Sequence, residues 1–339
     1  MKDNHLQSRA LHMPFQIGPV TVRNRVALAP MSGVSDLPFR QLAWRFGAGL
    51  VVTEMVASRE LVLNAAESWM RLRDGEARPH VVQLAGREAH WMAEAARIAE
   101  ANGADVIDIN MGCPAKKVIG GYSGSALMRD PDHALSLIEA TVKAVSVPVT
   151  LKMRLGWDEN SINAPEIAAR AERAGIQLVT IHGRTRMQFY EGRADWDAIA
   201  AVREAVRIPL IANGDVSSSE DAEEILRRSG ADAVMVGRAC QGRPWLAGVV
   251  AGAPAPERTE IAAIAVEHYE MMLAHYGTDV GLRHARKHLG WYLERFAAGL
   301  APARKAEIMT ARDPRFVVAA LSRALEAAAS ERNDRQEAA

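Results

Sequence analysis

EAHWMAEAARIAEANGADVIDIN, residues 88–110, decides the fold. Its first half carries apolar residues at spacings of three and four, the pattern of a helix with one buried stripe. Gly103 then closes the helix, because glycine takes the left-handed conformation that ends one. DVIDIN, from Asp105, follows as a short apolar strand. The same unit recurs along the chain. Short apolar runs begin at Val26 (VALAP), Leu50 (LVVTE), His80 (HVVQLAG), Asp105, Pro148 (PVTLKMR), Gln177 (QLVTIHG), Pro209 (PLIANGD) and Asp232 (DAVMVGR). Helical patterns separate them, several ending in glycine just before the next strand, as in FGAG, RAGIQ and RSGAD. Apolar strands alternating with helices form a parallel sheet covered on both faces. Eight such units over about 210 residues suit a (β/α)8 TIM barrel. A doubly wound sheet usually has fewer strands and a GxGxxG turn after the first, and LAPMSGV carries no such pattern. FQIGPVTVRNR, before the first strand, reads as a hairpin capping the barrel floor.

After Arg243 the pattern changes. AGVVAGAPAPE, residues 247–257, is small, Pro-containing and aperiodic, and reads as a linker. Three helical stretches follow: ERTEIAAIAVEHYEMMLAHYG, LRHARKHLGWYLERF and DPRFVVAALSRALEAA. The expected organisation is therefore a barrel over 1–246 and a small C-terminal all-α domain over 257–330, with SERNDRQEAA frayed at the end.

A chain of 339 residues at 49% hydrophobic can bury a sizeable core. Lys plus Arg equals Asp plus Glu at 41 each, so any anionic partner must be held by a local patch. Two cysteines in unrelated surroundings make neither a disulfide framework nor a metal site, and suit a reducing compartment. The N-terminal MKDNHLQSRALHMP lacks the apolar core of a signal peptide, and no run approaches the ~18 apolar residues of a membrane span. The expected location is the cytoplasm, with no membrane and no obligate protein partner.

Barrel chemistry sits where strands end. The exits here carry Pro30-Met31, Glu54, Gln83, Asn110 with Cys113, Lys152 with Arg154, His182 with Arg184, Asn213 with Asp215, and Gly237-Arg238. An apolar core explains none of them. NGDVSSSEDAEEILRR sets Asn-Gly-Asp and a serine run before a helix, so N–H groups at its start would face the rim; VGRACQGRPW adds a glycine for close approach and an arginine for phosphate. The loops after strands 7 and 8 are this fold's usual phosphate site, although ordinary helix caps would look the same. A mononucleotide phosphate there leaves its ring near Lys152, which could stabilise an anionic ring, and Gln83, which can donate and accept at a ring edge. Reduced FMN fits these groups; a sugar phosphate fits them too.

Cys113, in DINMGCPAKKV, lies just past the fourth strand on a glycine-rich loop. A thiol of pKa ~8.5 is mostly protonated at neutral pH and can give up a proton. Lys116 and Lys117, if close, would favour thiolate instead. Cys240 reads as structural.

APMSGVSDLPFR, VVQLAG, DINMGCPAKKV, GSALM, LKMRLGW, TIHGRTR, IANGD and VMVGRA, in that order, resemble the tRNA-dihydrouridine synthases over the whole barrel. CPAKKV and the RKHLGWYLE segment at 286–294 are similar to the bacterial B-type branch and its RNA-binding domain. The resemblance implies FMN as cofactor, NADPH as reductant and a uridine of folded tRNA as substrate, with hydride to uracil C6 and a cysteine proton to C5. It places Cys113 at the proton donor. Pro30, Met31, Ser32, Gln83, Lys152, Asn213, Gly214, Asp215, Gly237 and Arg238 fall on flavin-contacting positions, Ser32 standing where alanine is frequent. Asn110, Arg154 and His182 fall near flavin and uracil, and Lys116 and Lys117 then meet RNA rather than activate a thiolate.

For RNA, residues 283–305 hold six Lys/Arg (Arg283, Arg286, Lys287, Arg295, Arg304, Lys305) against Glu294, with Trp291 and Tyr292 interleaved. Arg286 and Lys287 are the candidate tRNA contacts. The competing readings are a dihydroorotate-dehydrogenase-like flavin barrel acting on a free pyrimidine, and a non-catalytic RNA-binding protein on a retired barrel.

Overall fold

The structure, a computed structural model, describes residues 10–337, except for the side chains of Lys117 and residues 331–337. It opens with an antiparallel hairpin, β1 (Phe15–Ile17) and β2 (Val20–Val22), turning at Gly18. A nine-stranded parallel sheet follows: β3 (Val26–Leu28), β4 (Leu50–Val51), β5 (Val56–Ala57), β6 (Val81–Ala85), β7 (Val106–Met111), β8 (Val149–Arg154), β9 (Val179–His182), β10 (Leu210–Asn213) and β11 (Ala233–Val236). The order is β4-β3-β11-β10-β9-β8-β7-β6-β5. The sheet closes because Leu50–Val51 pairs with β3 while the next residue, Val52, bridges to Val81 at the start of β6. The Thr53 N–H donates to the Val81 carbonyl at 3.1 Å and extends that seam. β4 and β5 are thus parts of one stave, which changes neighbour along its length, and the barrel has the eight staves expected.

The hairpin fills one end. Phe15, Ile17 and Val22 pack with Leu50, Val81, Val106, Leu178, Ile211 and Ala233, residues at or near the N-terminal ends of the staves. That end is closed by apolar side chains, leaving the C-terminal end for chemistry. Local signals set the connecting helices. Asp36 caps Leu37–Arg45 by accepting from the Phe39 N–H, with a proline in the first turn. Gly230, at φ 66, ends Ser219–Ser229 and donates to the Leu226 carbonyl.

The chain divides into two compact units. The first runs through Ala239 and takes in Leu246–Ala253; the second comprises Cys240–Trp245 and the chain from Pro254. This corrects the linker expected at 247–257 and the boundary at 246. Leu246–Val250 is a short helix of the barrel unit, with Leu246, Ala247 and Val250 buried. A side chain at Gly248 would stand 1.8 Å from the Phe46 carbonyl oxygen. The small residues that suggest a linker are there so that backbone can pack on backbone.

The second unit is helical: Ile261–Tyr276, Thr278–Phe296, Pro302–Thr310 and Pro314–Glu337. Pro302–Thr310 is absent from the sequence reading because it buries little more than Ile308 and so has no apolar stripe. The last helix continues to Glu337, past the fraying expected from 330. Tyr269, Leu289, Leu293, Leu321 and Leu325 form part of the interior, together with His268, His288 and Tyr292. Among the described residues no helix is long and apolar enough to cross a membrane.

Candidate active site

Strand register builds the site. Gln83, Asp108 and Thr150 pair across β6, β7 and β8; Asn110, Lys152 and Thr180 across β7, β8 and β9; Arg154, His182 and Asn213 across β8, β9 and β10. Three polar rows therefore cross the sheet where an apolar core would otherwise continue.

Asp108, which the sequence reading passed over, organises the first row. Its carboxylate is 4% exposed and accepts from Gln83 Nε2 at 2.7 Å and from the Thr150 hydroxyl at 2.6 Å. Gln83 Oε1 accepts from Asn110 Nδ2 at 2.7 Å. Asn110 Oδ1 in turn accepts from the backbone N–H groups of Gly112 and Cys113, at 3.1 and 3.0 Å. The Cys113 carbonyl is held as well: the Ser125 N–H and hydroxyl donate to it at 3.1 and 2.9 Å. Gly124 lies so close to Cys113, at φ 61, that a side chain there would meet the Cys113 carbonyl at 2.8 Å. Cys113 is pinned on both sides, and its partly buried thiol lies on the rim. Burial pushes that thiol above its usual pKa, against the pull of a backbone hydrogen bond at Ala115 and the charges of Arg154 and Lys152. It stays protonated at neutral pH. Lys116 is exposed, and the side chain of Lys117 lies outside the described residues.

Lys152 is partly buried, and burial first, then repulsion from Arg154, brings its ammonium down to about 8; Asp108 and Cys113 act in the other direction. Arg154 is 2% exposed and donates to the carbonyls of Gly112, Thr185 and Phe189 at 2.9, 2.8 and 2.8 Å. It thereby ties the Cys113 loop to the loop after β9. His182 Nδ1 lies 2.8 Å from Asn213 Oδ1. Because Asn213 Nδ2 donates to the Met235 carbonyl, its oxygen faces the imidazole, and Nδ1 carries the proton. Burial first, with Lys152 and Arg154 adding to it, holds His182 well below its usual range. It is neutral, with Nε2 an acceptor.

At the last two exits, Gly214 has φ 129 and Asp215 φ 58. No acceptor among the described residues is bonded to the backbone N–H of Gly214, Asp215, Gly237 or Arg238. Asp215 is held by Arg184 through two bonds of 2.9 and 2.6 Å and itself holds Arg238 at 3.2 Å. Arg184, 1% exposed, is a second residue whose part the sequence did not disclose: it is the buried clamp on Asp215. Arg238 is half exposed, its guanidinium 4.9 Å from the centre of the Tyr190 ring. The serine run behaves otherwise than expected. Ser218 caps its helix by accepting from Asp221 N–H, and Asp221 accepts from Ser217. That helix start is satisfied by its own side chains, which leaves the four N–H groups and Arg238 at these two exits. At the first exit Pro30 and Met31 are partly buried, and Ser32 is exposed.

The helical unit carries a smaller basic patch than the sequence suggests. Lys305 pairs with Glu294 at 2.9 Å, Arg304 with Glu307 at 2.5 Å, and Arg295 donates to the Gln241 carbonyl at 2.6 Å. Tyr292 and His288 are each 1% exposed, and Trp291 packs edge-on to His288 at 5.1 Å. Tyr292 and His288 serve packing rather than RNA stacking. Arg283, Arg286 and Lys287 lie at i, i+3 and i+4 on one face of Thr278–Phe296. Among the described residues no cluster of three or more His, Cys, Asp or Glu could hold a metal ion.

The family model described as Dihydrouridine synthase (Dus) matches residues 27–329. A probable tRNA-dihydrouridine synthase of Rhizobium leguminosarum bv. phaseoli is 78% identical, covering 91% of this chain and 98% of its own. One of Rhodobacter capsulatus is 58% identical, over 87% and 92%. The tRNA-dihydrouridine synthase B of Pseudomonas aeruginosa is 48% identical, over 82% and 86%. Among solved structures, histamine dehydrogenase from Rhizobium sp. 4-9 superposes with a TM-score of 0.54 at 14% identity, over 78% of this chain and 51% of that one. A 2-naphthoyl-CoA reductase gives 0.57 at 14%, over 73% and 53%. The chain spans about half the length of these two structures, and the likeness is one of fold.

Proposed function

Because the chain belongs to the dihydrouridine synthase family, we propose that it reduces the C5–C6 double bond of specific uridines in tRNA to 5,6-dihydrouridine, with FMN as cofactor and NADPH as reductant. The observation that carries this reading is Cys113: a thiol kept protonated by burial, pinned at both its N–H and its carbonyl, on the open end of a barrel. A dehydrogenase removing a proton from a free dihydropyrimidine would need the thiolate, which this environment disfavours. A non-catalytic RNA-binding protein would have no use for a pinned thiol beside partly buried cations.

The residues present fit the flavin. The unengaged N–H groups of Gly214, Asp215, Gly237 and Arg238, with the Arg238 guanidinium, suit its phosphate. Lys152, Gln83 and neutral His182 suit polar atoms of the ring, Lys152 offsetting negative charge there. Pro30, Met31, Ser32 and Asn213 complete the flavin set, with Asp215 anchoring Arg238. When bound and reduced by NADPH, FMN supplies the hydride that uracil C6 receives. Cys113 Sγ gives its proton to C5, and the thiolate left behind recovers a proton from solvent. Asn110 and Arg154 hold the Cys113 loop in place at the uracil side. Lys116, Lys117, Arg286 and Lys287 meet tRNA phosphates, and the helical unit from about residue 257 is the RNA-binding domain. The target base must leave its stack, which is cheapest in a loop. Such a substrate and a free thiol point to the cytoplasm.

Cys113→Ala tests the reading. Flavin reduction by NADPH should stay near the wild-type rate. Single-turnover oxidation of the reduced flavin by tRNA should slow by roughly 10²- to 10⁴-fold, with residual activity rising as pH falls. Equal rates for variant and wild type would remove Cys113 as the acid.

A further inference from the structure

We propose that Asp108 is a positioning residue, whose carboxylate sets the direction of a hydrogen-bond chain running through Gln83 and Asn110 to the backbone of Cys113. The inference rests on the reading of Cys113 as proton donor, and it concerns how that thiol is held.

The chain has four links and one polarity. Gln83 Nε2 donates to Asp108 Oδ2, Asn110 Nδ2 donates to Gln83 Oε1, and the N–H groups of Gly112 and Cys113 donate to Asn110 Oδ1. An amide side chain can be turned over at little cost, exchanging its donor and acceptor. Neither end of this chain allows it. Backbone N–H groups can only donate, so Asn110 must present oxygen to Cys113. Burial raises the Asp108 pKa, against the hydrogen bonds from Gln83 and Thr150 and the charge of Lys152; as a carboxylate it can only accept, so Gln83 presents nitrogen to it and both amides are locked in register with each other. Thr150 donates to the other carboxylate oxygen and keeps the group from rotating. Asp108 is 4% exposed and Gln83 1%, so water offers no substitute partner.

Two consequences follow. Gln83 keeps one N–H and one lone pair for a ligand, in a fixed orientation. Cys113 is held at its N–H by a chain rooted in the barrel interior, and at its carbonyl by Ser125, so the thiol cannot drift outward from its partly buried position.

Three variants test this through site-resolved alkylation of Cys113 by iodoacetamide in the flavin-free protein, followed by mass spectrometry across pH. Cys240, fully buried, belongs to the second unit and reports its opening, while circular dichroism of the same sample reports loss of the barrel fold. Asp108→Leu removes the acceptor. Cys113 should then alkylate at least about tenfold faster at fixed pH, with its midpoint moved toward that of an ordinary thiol, while Cys240 stays protected. Asp108→Asn can still accept from Gln83 while donating to Thr150, so it should restore slow alkylation. Thr150→Val removes the bond that keeps Asp108 from rotating but leaves the Gln83 link, and should raise the Cys113 alkylation rate by less than Asp108→Leu does. In the reconstituted enzyme, single-turnover tRNA reduction should fall by up to about 10²-fold in Asp108→Leu, as expected for a misplaced reacting group, and recover most of that in Asp108→Asn. If Asp108→Leu does not fold, Gln83→Met breaks the same chain one link nearer and must yield the same reactive thiol. A wild-type Cys113 pH profile in whichever of these folds overturns the proposal, as does equal exposure of Cys113 and Cys240. Wild-type protein that fails to reduce tRNA would instead sink the activity while leaving the alkylation result standing.

Discussion

Lys152 carries a cation that the flavin-free fold holds at a cost. Its ammonium titrates near 8 rather than at 10.5, with burial the larger cause and Arg154 the second. A group whose folded pKa is depressed in this way destabilises the fold while charged. Between pH 8 and 10.5 the unfolded chain binds more protons than the native one, so stability rises with pH across that window. At pH 7 the penalty is about 3.3 kcal/mol and at pH 9.5 about 1.4 kcal/mol, each unit being worth ~1.4 kcal/mol. Lys152→Met abolishes this term while leaving Asp108, Cys113 and Arg154 in both proteins. Denaturant unfolding of flavin-free wild type and variant at pH 7 and 9.5 measures it. The difference between them should move by about 2 kcal/mol in favour of wild type at the higher pH. A difference unchanged between the two pH values would show that Lys152 is solvated and unable to face a ring in a dry site. FMN, if its ring sits beside Lys152, should flatten the dependence for wild type alone.

Other outcomes follow from the same geometry. Arg238→Ala should weaken flavin retention in equilibrium dialysis while leaving urea unfolding of the flavin-free protein within about 0.5 kcal/mol of wild type, since its ion pair with Asp215 is half exposed. Arg286→Ala with Lys287→Ala should weaken tRNA binding and reduce the salt slope by up to about two phosphate contacts, with flavin content unchanged; an unaltered slope would move the RNA surface elsewhere. Gly248→Ala should cost about 1–3 kcal/mol in thermal or denaturant unfolding, because its new methyl group meets the Phe46 carbonyl, and a neutral result would mean that the Leu246–Val250 helix is not packed as described.

The local part of this molecule was legible from the chain itself. Helix stripes of period 3.6, strands of five or six apolar residues and glycines at helix ends depend on neighbours a few residues apart, and they are sufficient for eight staves and their order. The rim residues were legible too, because charged and amide side chains at the ends of apolar strands have no packing explanation. Partnership across the sheet was not legible. Asp108 meets Gln83 and Thr150 from 25 and 42 residues away, through a register that closure of the barrel imposes. The Asp215 carboxylate is taken by Arg184 from 31 residues away and also holds Arg238. The linker misled because small residues look alike whether they bend freely or let two backbones touch. The basic stretch misled because Arg295, Arg304 and Lys305 are engaged by neighbours within the unit. Sequence by itself determined which elements form and which side chains sit at their ends. Only the tertiary structure decided which of those side chains are still free to meet a ligand, because a hydrogen bond or ion pair is a property of two residues brought together by the fold.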